Sequence, residues 1–498
     1  MKIQQICLTA SNCGQFRFPA DVDPSIHQHD WESYTASLLR SCPESIWPQG
    51  SPTAHSLPML VTAEDHINPL RAFHDALVAA IVDIVNRWWT DTAADFPARM
   101  PIEPYEESLL RWMNTLPAGT VAPFEKCLGS WRPDFLIEHV ADPSSSDGTR
   151  EQFRVCEINA RFCWNGYLHG AYGQQALDEM GAEERGFRGA ADCEETLNEL
   201  LSLFDTSKPL HFLKGEEKGI DIHMFAHAVE ERTGIRPRFI TPEDLRLVPS
   251  IKAPLGQKLC CVVSPDAETS PQSTIFEFNG EWLEEIYQVN LELHQRELRA
   301  MPTKILRHVS LHCFNDMRTI FLVHDKRMLG IILQELDVLI NRHVLTPSQA
   351  DLLREGISTT FIPGSPEMAQ FTQDSQVNPT LKDGYILKPI RSGKGAGILF
   401  GDELSWQDWQ TKLQTCQQAT LAPGQMSYVV QRHIPQGVYD VCMKNDHEKK
   451  QMQMVGTYHV VNGRYLGIGT WRCSPARICA VSRGGSMICS VYIDDAAM

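Results

Sequence analysis

Two runs early in the chain, WRPDFLIEHV at 131–140 and FRVCEINARF at 153–162, limit what it can fold into more than any other feature. Residues 134–140 and 152–160 are rich in β-branched and aromatic types and read as strands. The intervening ADPSSSDGTRE is built of turn and loop formers. The pattern predicts an antiparallel hairpin that brings Asp134 roughly opposite residues 157–159. Glu157 and Asn159 are two apart, so they share a face of their strand. Asp134 joins that face in one register, and a slip of a single residue turns it away. Three oxygen-bearing side chains and the guanidinium of Arg132 then converge on one patch. Hard cations such as Mg²⁺ take such oxygens, through a few carboxylates plus substrate phosphates. A solvated strand face carries the same residue types, so the metal reading needs a second feature elsewhere.

At 498 residues the chain exceeds the roughly 250–300 residues at which single cores stop growing. Two or three structural units are expected. A hydrophobic fraction of 43% is that of a globular protein and excludes global disorder. The formal charge of −17 argues against nucleic-acid binding, which uses a basic face, while leaving room for a local basic pocket. The opening MKIQQICLTASNCG lacks an apolar stretch followed by a small-residue cleavage site. No apolar run approaches the roughly 18–20 residues that span a bilayer. The final DDAAM is not a peroxisomal signal. The expectation is a soluble, cytoplasmic protein with no membrane partner. The 15 cysteines form no CxxC pair and sit mostly in apolar runs such as LCCVV, as reduced core residues do.

The chain divides by pattern into three stretches. In 1–207, residues 1–60 are rich in loop formers and poorly periodic. Helices are expected at 68–90, opened by Asn-Pro, and at 104–115, and the hairpin is followed by a helical stretch at 166–206. In 208–315, strand and helix alternate as in an open α/β unit, with FEFNGEWLEEIYQVN leading into a further helix. His223, His227 and Glu231 share a helix face there, but HExxH and a fourth ligand are missing, which favours an ordinary exposed face over zinc. In 316–498, RTIFLVHDK reads as a strand ending in charge and RMLGIILQELDVLI as an amphipathic helix. Strands are expected at 384–390 and 427–434, with YHVVNGRYL and SMICSVYID closing the chain.

The run ILKPIRSGKGAGILF at 386–400 is the second feature. Lys388 lies on an apolar strand, where an unpaired charge is costly. It is followed by Arg391, Ser392, Gly393, Lys394, Gly395 and Gly397. Glycines let backbone N–H groups approach a phosphate closely. No Ser or Thr follows a Gly-Lys pair as in a Walker loop, and the G-x-G-x-G spacing is not a dinucleotide fingerprint. A tight hairpin connection explains the glycines alone; the buried Lys388 favours an anion. Lys326, at the end of LVHDK, can reach a nucleotide or sit on the surface. VVQRHI, with Gln431, offers an adenine slot or an ordinary core strand. Arg472, in the late loop GTWRCSP, suits a bidentate grip on a carboxylate beside a phosphate site.

With these motifs in hand, the chain resembles the ATP-grasp ligases. Their common order puts the nucleotide lysines and glycine loop first and the metal-binding Glu-x-Asn last. Here Glu157 and Asn159 come first, an order similar to that of the eukaryotic-type glutathione synthetases and the synthetase domain of glutathionylspermidine synthetase. The likeness runs from about residue 130 onward. It implies an α/β ATP-grasp fold with permuted motif order and an inserted α/β substrate or lid unit at 208–315. Arg132 resembles the family arginine that faces the reacting carboxylate or phosphate, and Arg472 a late arginine that engages substrate. Asp134, Glu157 and Asn159 resemble the Mg²⁺ ligands. Lys326 in HDKRML, followed by FIPGSPE, resembles the first ATP lysine, and Lys388 in LKP the second. Ser392 through Gly397 resemble the mobile phosphate loop, and Gln431 lies at the adenine-side hinge. The loop reads SGKGAG, without consecutive glycines, and the N-terminal region shows no γ-glutamylcysteine site. An acid and an amine other than those of glutathione synthesis are therefore expected.

The resemblance implies ATP and Mg²⁺ as cofactors, small-molecule carboxylate and amine substrates, a homodimer, and an ADP-forming ligation through an acyl phosphate. A kinase that stops at phosphoryl transfer and an inactive ATP-binding protein are the alternatives.

Overall fold

The computed structural model describes residues 1–498 except 49–50, 146–147, 165, 220, 254, 267–272, 422–425, 480, 482–483 and 494–498. The middle of the hairpin loop and the chain end therefore lie outside the described residues.

A 10-stranded sheet forms the centre. Its path runs Gln4–Gln5, His55–Thr62, Ser486–Ile493, Trp471–Ser474, Lys449–Val461, Ser130–Ala141 and Thr149–Asn159. The last two strands are the expected hairpin, each starting three or four residues earlier than the apolar pattern suggests. His55–Thr62 pairs in parallel with Ser486–Ile493, and its every residue is buried. Between stretches that are irregular as their composition suggests, the first 60 residues thus give the core two strands, Gln4–Gln5 and His55–Thr62. The helix Pro24–Ser41 belongs to them too, with Asp23 accepting the Ser25 amide as its cap. Its weak apolar periodicity and the polar residues of its exposed face hid it.

The helix Asn68–Arg87 starts with Pro at its first turn. Leu70, Phe73, Leu77, Ile81 and Ile84 recur at helical spacing and are buried. They pack on the hairpin, where the Phe73 and Phe153 rings meet edge to face at 5.2 Å. The 166–206 stretch is not continuous helix. It forms Tyr167–Glu179 and Cys193–Leu201, separated by a turn and the short strand Arg188–Gly189. Gly181 and Gly186, both at positive φ, break it.

Two smaller sheets follow. Val289–Glu292, His211–Lys214 and Arg238–Ile240 make a parallel three-stranded sheet, with the helix Ile222–Thr233 as crossover. Leu245–Pro249, Gln257–Val262, Glu281–Glu285 and Ile275–Phe278 make an antiparallel one. FEFNGEWLEE is a hairpin, its Asn279 and Gly280 at φ 51° and 80°. Asn-Gly between alternating residues is a short-hairpin signal, and here it outweighs the expected lead into a helix.

RTIFLVHDK is not a strand. Thr319–Val323 is a π-helical turn leading into the helix Arg327–Asn341. A short, wholly apolar run carries no period to separate the two states. The remaining sheet orders Thr360–Phe361, Tyr428–Arg432, Tyr385–Pro389 and Leu399–Phe400. Leu387 and Val430 on one face pack with Phe371, Trp409 and Leu413 of two covering helices. The other face carries Lys388 and Gln431 and looks toward the hairpin. Among the described residues no helix is long and apolar enough to cross a membrane, and no two cysteines form a disulfide.

Candidate functional site

The hairpin register sets the site. Arg132 pairs across with Asn159 and Asp134 with Glu157, so all four side chains share a face. The next pair is Phe135 with Val155, which leaves Cys156 as the extra residue of a bulge. A bulge frees a ladder carbonyl, and the Cys156 carbonyl is used by the facing sheet. Lys388 Nζ donates to it at 3.2 Å and Gln431 Nε2 at 3.1 Å. Lys388 and Cys156 are 232 residues apart in sequence.

Glu157 is the electrostatic centre. Its Oε2 lies 3.2 Å from Lys326 Nζ and 3.6 Å from Lys388 Nζ. Burial alone raises a carboxyl pKa, but Lys326, Lys388 and Arg472 outweigh it and hold Glu157 well below the usual carboxylate range. Burial likewise opposes the charge on Lys388, and Cys156, Glu157 and Asp134 more than restore it. Both lysines are about as buried as core leucines, at 5% and 4% exposure. Lys326 also donates to the Ser392 carbonyl at 2.8 Å, tying it to the glycine loop. Its position at the start of a helix, not at a strand end, aims it there.

Arg472 is on the strand Trp471–Ser474 rather than in a loop. It donates to Asp134 Oδ2. Arg132 Nε lies 3.3 Å from Asp134 Oδ1. Gly166, at φ +88°, lets the Arg132 side chain pass: a Cβ there would sit 3.2 Å from its Nη1. Asn159 donates to the Arg132 carbonyl at 3.3 Å.

The loop itself is a pair of tight turns. Lys394, Gly395 and Gly397 all take positive φ, and the Ala396 amide closes on the Gly393 carbonyl at 3.1 Å. Gly393, Lys394 and Gly397 are exposed. Lys394 reaches Glu217 at 3.1 Å, in the stretch after His211–Lys214. Arg391, expected to add charge toward a phosphate, is buried and committed. It pairs with Glu106 at 2.6 Å and with Asp325 at 2.7 Å. Asp325 in turn grips Arg327 at 2.8 Å. This network pins the Lys326 turn against the base of the loop, where the Lys326 amide donates to the Ile390 carbonyl at 3.0 Å.

The donor set fits a hard divalent cation. Asp134 and Glu157 supply carboxylates and Asn159 an amide oxygen on one face, and among the described residues the buried Oδ1 of Asp134 has the Arg132 guanidinium nearby but accepts no hydrogen bond. His223 stacks on Phe239 at 4.7 Å, an ordinary packing role. His211, Cys261 and Glu284 come within metal-binding distance of one another. Glu284 is held there by Arg238 and Ser273, the arrangement of a buried ion pair.

Sequence reasoning missed three residues. Arg161, two beyond Asn159, is buried beside the site. Asp221 and Glu292 come from the 208–315 stretch. Asp221 accepts the Leu168 amide at 2.7 Å and Glu292 the Cys163 amide at 3.0 Å, so both grip the segment that continues from the hairpin. Only the i, i+2 spacing of Arg161 from Asn159 gave a local signal; the other two act across more than fifty residues. Burial pushes the Asp221 carboxyl up to about 7 and the Glu292 carboxyl up to about 8, with Glu217 and Asp221 adding to the latter. A folded-state pKa above the unfolded one means that the native state keeps a proton the unfolded chain releases. Stability then falls as pH rises from about 4.5 to 8. Glu292→Gln keeps the acceptor and removes that fall. Its stability should be close to that of wild type near pH 5 and exceed it above pH 8, by up to the order of 3 kcal/mol, seen as a higher melting temperature in thermal denaturation at the higher pH.

Comparison with known proteins agrees with this architecture. A family model described as the AnkG N-terminal domain matches residues 73–322. The ATP-grasp enzyme ankG of Aspergillus thermomutatus is 36% identical over 471 residues, covering 94% of this chain and 95% of that protein. A glutathione synthetase-like effector from Globodera pallida, solved in apo form, shares the fold with a TM-score of 0.50 at 12% identity, over 95% of this chain and 98% of that one. The matches cover nearly the whole chain, and by them it belongs to the AnkG family of ATP-grasp enzymes.

Proposed function

We propose that the protein is an ATP- and Mg²⁺-dependent ligase that joins a small-molecule carboxylate to an amine through an acyl phosphate. The observation that carries this reading is the meeting of Lys326, Lys388 and Glu157 beside the Cys156 bulge. Two buried ammonium groups sharing one carboxylate are placed for a polyphosphate, and they stand at the foot of an exposed glycine loop.

In this reading Lys326 and Lys388 hold the phosphates, and the amides of 393–397 close over them. Asp134, Glu157 and Asn159 hold the cation, which when bound neutralises phosphate charge. Gln431 stands on the adenine side. Arg132 and Arg472, steadied by Asp134, face the carboxylate. The carboxylate displaces ADP from the γ-phosphorus, and the amine then displaces phosphate from the acyl carbon, releasing a proton. Positioning and charge neutralisation do most of this work. The acyl phosphate must be kept from water. The Lys394–Glu217 contact supports a role for the 208–315 stretch in closing the cleft.

Incubation with ATP, Mg²⁺ and pooled amino acids and organic acids, followed by mass spectrometry, tests the reading. ADP and a product heavier than either precursor by their condensation are expected. A stable phosphorylated product would make the protein a kinase, and AMP would exclude the acyl-phosphate route.

A further inference from the structure

Arg161 is a buried cation that forms no ion pair of its own among the described residues. It is 8% exposed, and its Nε is enclosed without a hydrogen-bond partner. No ion pair or hydrogen bond reaches it among the described residues. The nearby carboxylates are Glu106 and Asp325, and Arg391 already holds both, at 2.6 and 2.7 Å. Burial, and then the like charge of Arg391, lower its pKa to about 10, so it remains a cation at neutral pH. Other buried arginines of this chain are matched: Arg327 by Asp325, Arg87 by Asp83 and Glu335, Arg154 by Glu138. An unmatched buried charge is costly and persists where a ligand completes it.

Its place indicates which ligand. The hairpin strand ends at Asn159, and the Ala160 amide donates to His324 Nδ1 at 3.3 Å, two residues before Lys326. Beyond Arg161, the Phe162 ring meets His294 at 5.5 Å and the Cys163 amide reaches Glu292. Arg161 therefore lies between the Glu157 site and the carboxyl ends of the parallel strands His211–Lys214 and Val289–Glu292. Carboxyl ends of parallel strands are where open α/β sheets receive ligands.

We propose that Arg161 is the anion receptor of this cleft and binds an oxyanion of the reacting molecules, either a carboxylate of the acid or the phosphoryl group passing to it. The inference rests on the ligase reading and adds to it a requirement for a second, anionic handle at this point. Arg132 and Arg472 are shared with Asp134; Arg161 is not shared, and a bidentate oxyanion matches its fork.

The test compares wild type with Arg161→Met and Arg161→Lys. Affinities for Mg²⁺–ADP and Mg²⁺–AMPPNP are measured by calorimetry, and the melting temperature of the Mg²⁺–ADP complex is followed against malonate and inorganic phosphate. Wild type should bind Mg²⁺–ADP and be stabilised saturably by malonate or phosphate. In Arg161→Met that stabilisation should be lost while ADP affinity stays within twofold and the ligand-free melting temperature is equal or higher. Loss of the malonate response identifies a carboxylate. A tenfold weaker AMPPNP affinity with unchanged ADP affinity identifies the phosphoryl group. Anion responses equal in wild type and Arg161→Met, or a ligand-free melting temperature lowered by Arg161→Met and restored by Arg161→Lys with those responses intact, would overturn the inference alone. Failure of wild type to bind Mg²⁺–ADP would overturn it together with the ligase reading.

Discussion

Glu157→Gln should lower turnover at saturating substrates by about 10²–10³-fold while leaving the fold intact. The carboxylate it removes touches both lysines, at 3.2 and 3.6 Å, and it shares a face with the other two oxygen donors. The amide keeps the shape and one oxygen but not the charge. Lys326 and Lys388 are then left buried side by side, and breaking a buried pair in this way costs about 3–5 kcal/mol. Some of that is recovered, because Lys326 keeps the Ser392 carbonyl and Lys388 the Cys156 carbonyl. The melting temperature should therefore fall modestly, far less than the turnover. The pH dependence provides a second readout. A carboxyl held well below its ordinary pKa contributes stability that is present above about pH 4.5 and lost as pH falls through the lower folded value. Wild type should show that acid limb and Glu157→Gln should not. Steady-state kinetics across Mg²⁺ concentrations decide the matter: unchanged turnover at limiting Mg²⁺ removes Glu157 from the metal site.

Lys388→Met should weaken Mg²⁺–AMPPNP binding by about 10–100-fold, or 1.4–2.8 kcal/mol on the scale of about 1.4 kcal/mol per tenfold. Methionine keeps the buried stem at the strand position opposite Val429, and the lost quantity is the ammonium. Glu157 retains Lys326 and Arg472 as counter-charges. The variant should consequently fold as well as wild type, and calorimetry should show the loss entirely in nucleotide affinity. An unaltered affinity would mean that Lys388 only props the Cys156 carbonyl and that the glycine loop is a plain hairpin connection.

What could be read in advance and what could not separates along a physical line. The hairpin was legible because strand propensity, turn composition and the two-residue period agreed over twenty residues. The placing of Asp134 opposite residues 157–159 was legible too, and the pair is Asp134 with Glu157; the bulge at Cys156 leaves no mark in a single sequence, and the bulge is what turns that carbonyl to Lys388 and Gln431. Lys326 was found by its neighbours, yet its support was misread, because TIFLV has no period to distinguish a helical turn from a strand. Arg391 looked like a phosphate ligand from its place beside the glycines. Its real partners, Glu106 and Asp325, lie 285 and 66 residues away, and only the fold brings them together. The Gly and Pro that flank Arg472 suggest a loop, whereas backbone pairing with Val455 and Met487 makes it a strand residue. The strand His55–Thr62 was missed for the opposite reason. A strand buried on both faces, such as HSLPMLVT, shows neither alternation nor a helical period.

The central claim is that the hairpin and the Lys388 strand, far apart in the chain, are two halves of one nucleotide site. A crystal structure of the protein with Mg²⁺ and AMPPNP tests it most directly. The expected result has the terminal phosphates between Lys326, Lys388 and the 393–397 loop, and a cation on Asp134, Glu157 and Asn159. A nucleotide bound elsewhere, or density at Lys388 with no cation at the hairpin, would contradict it.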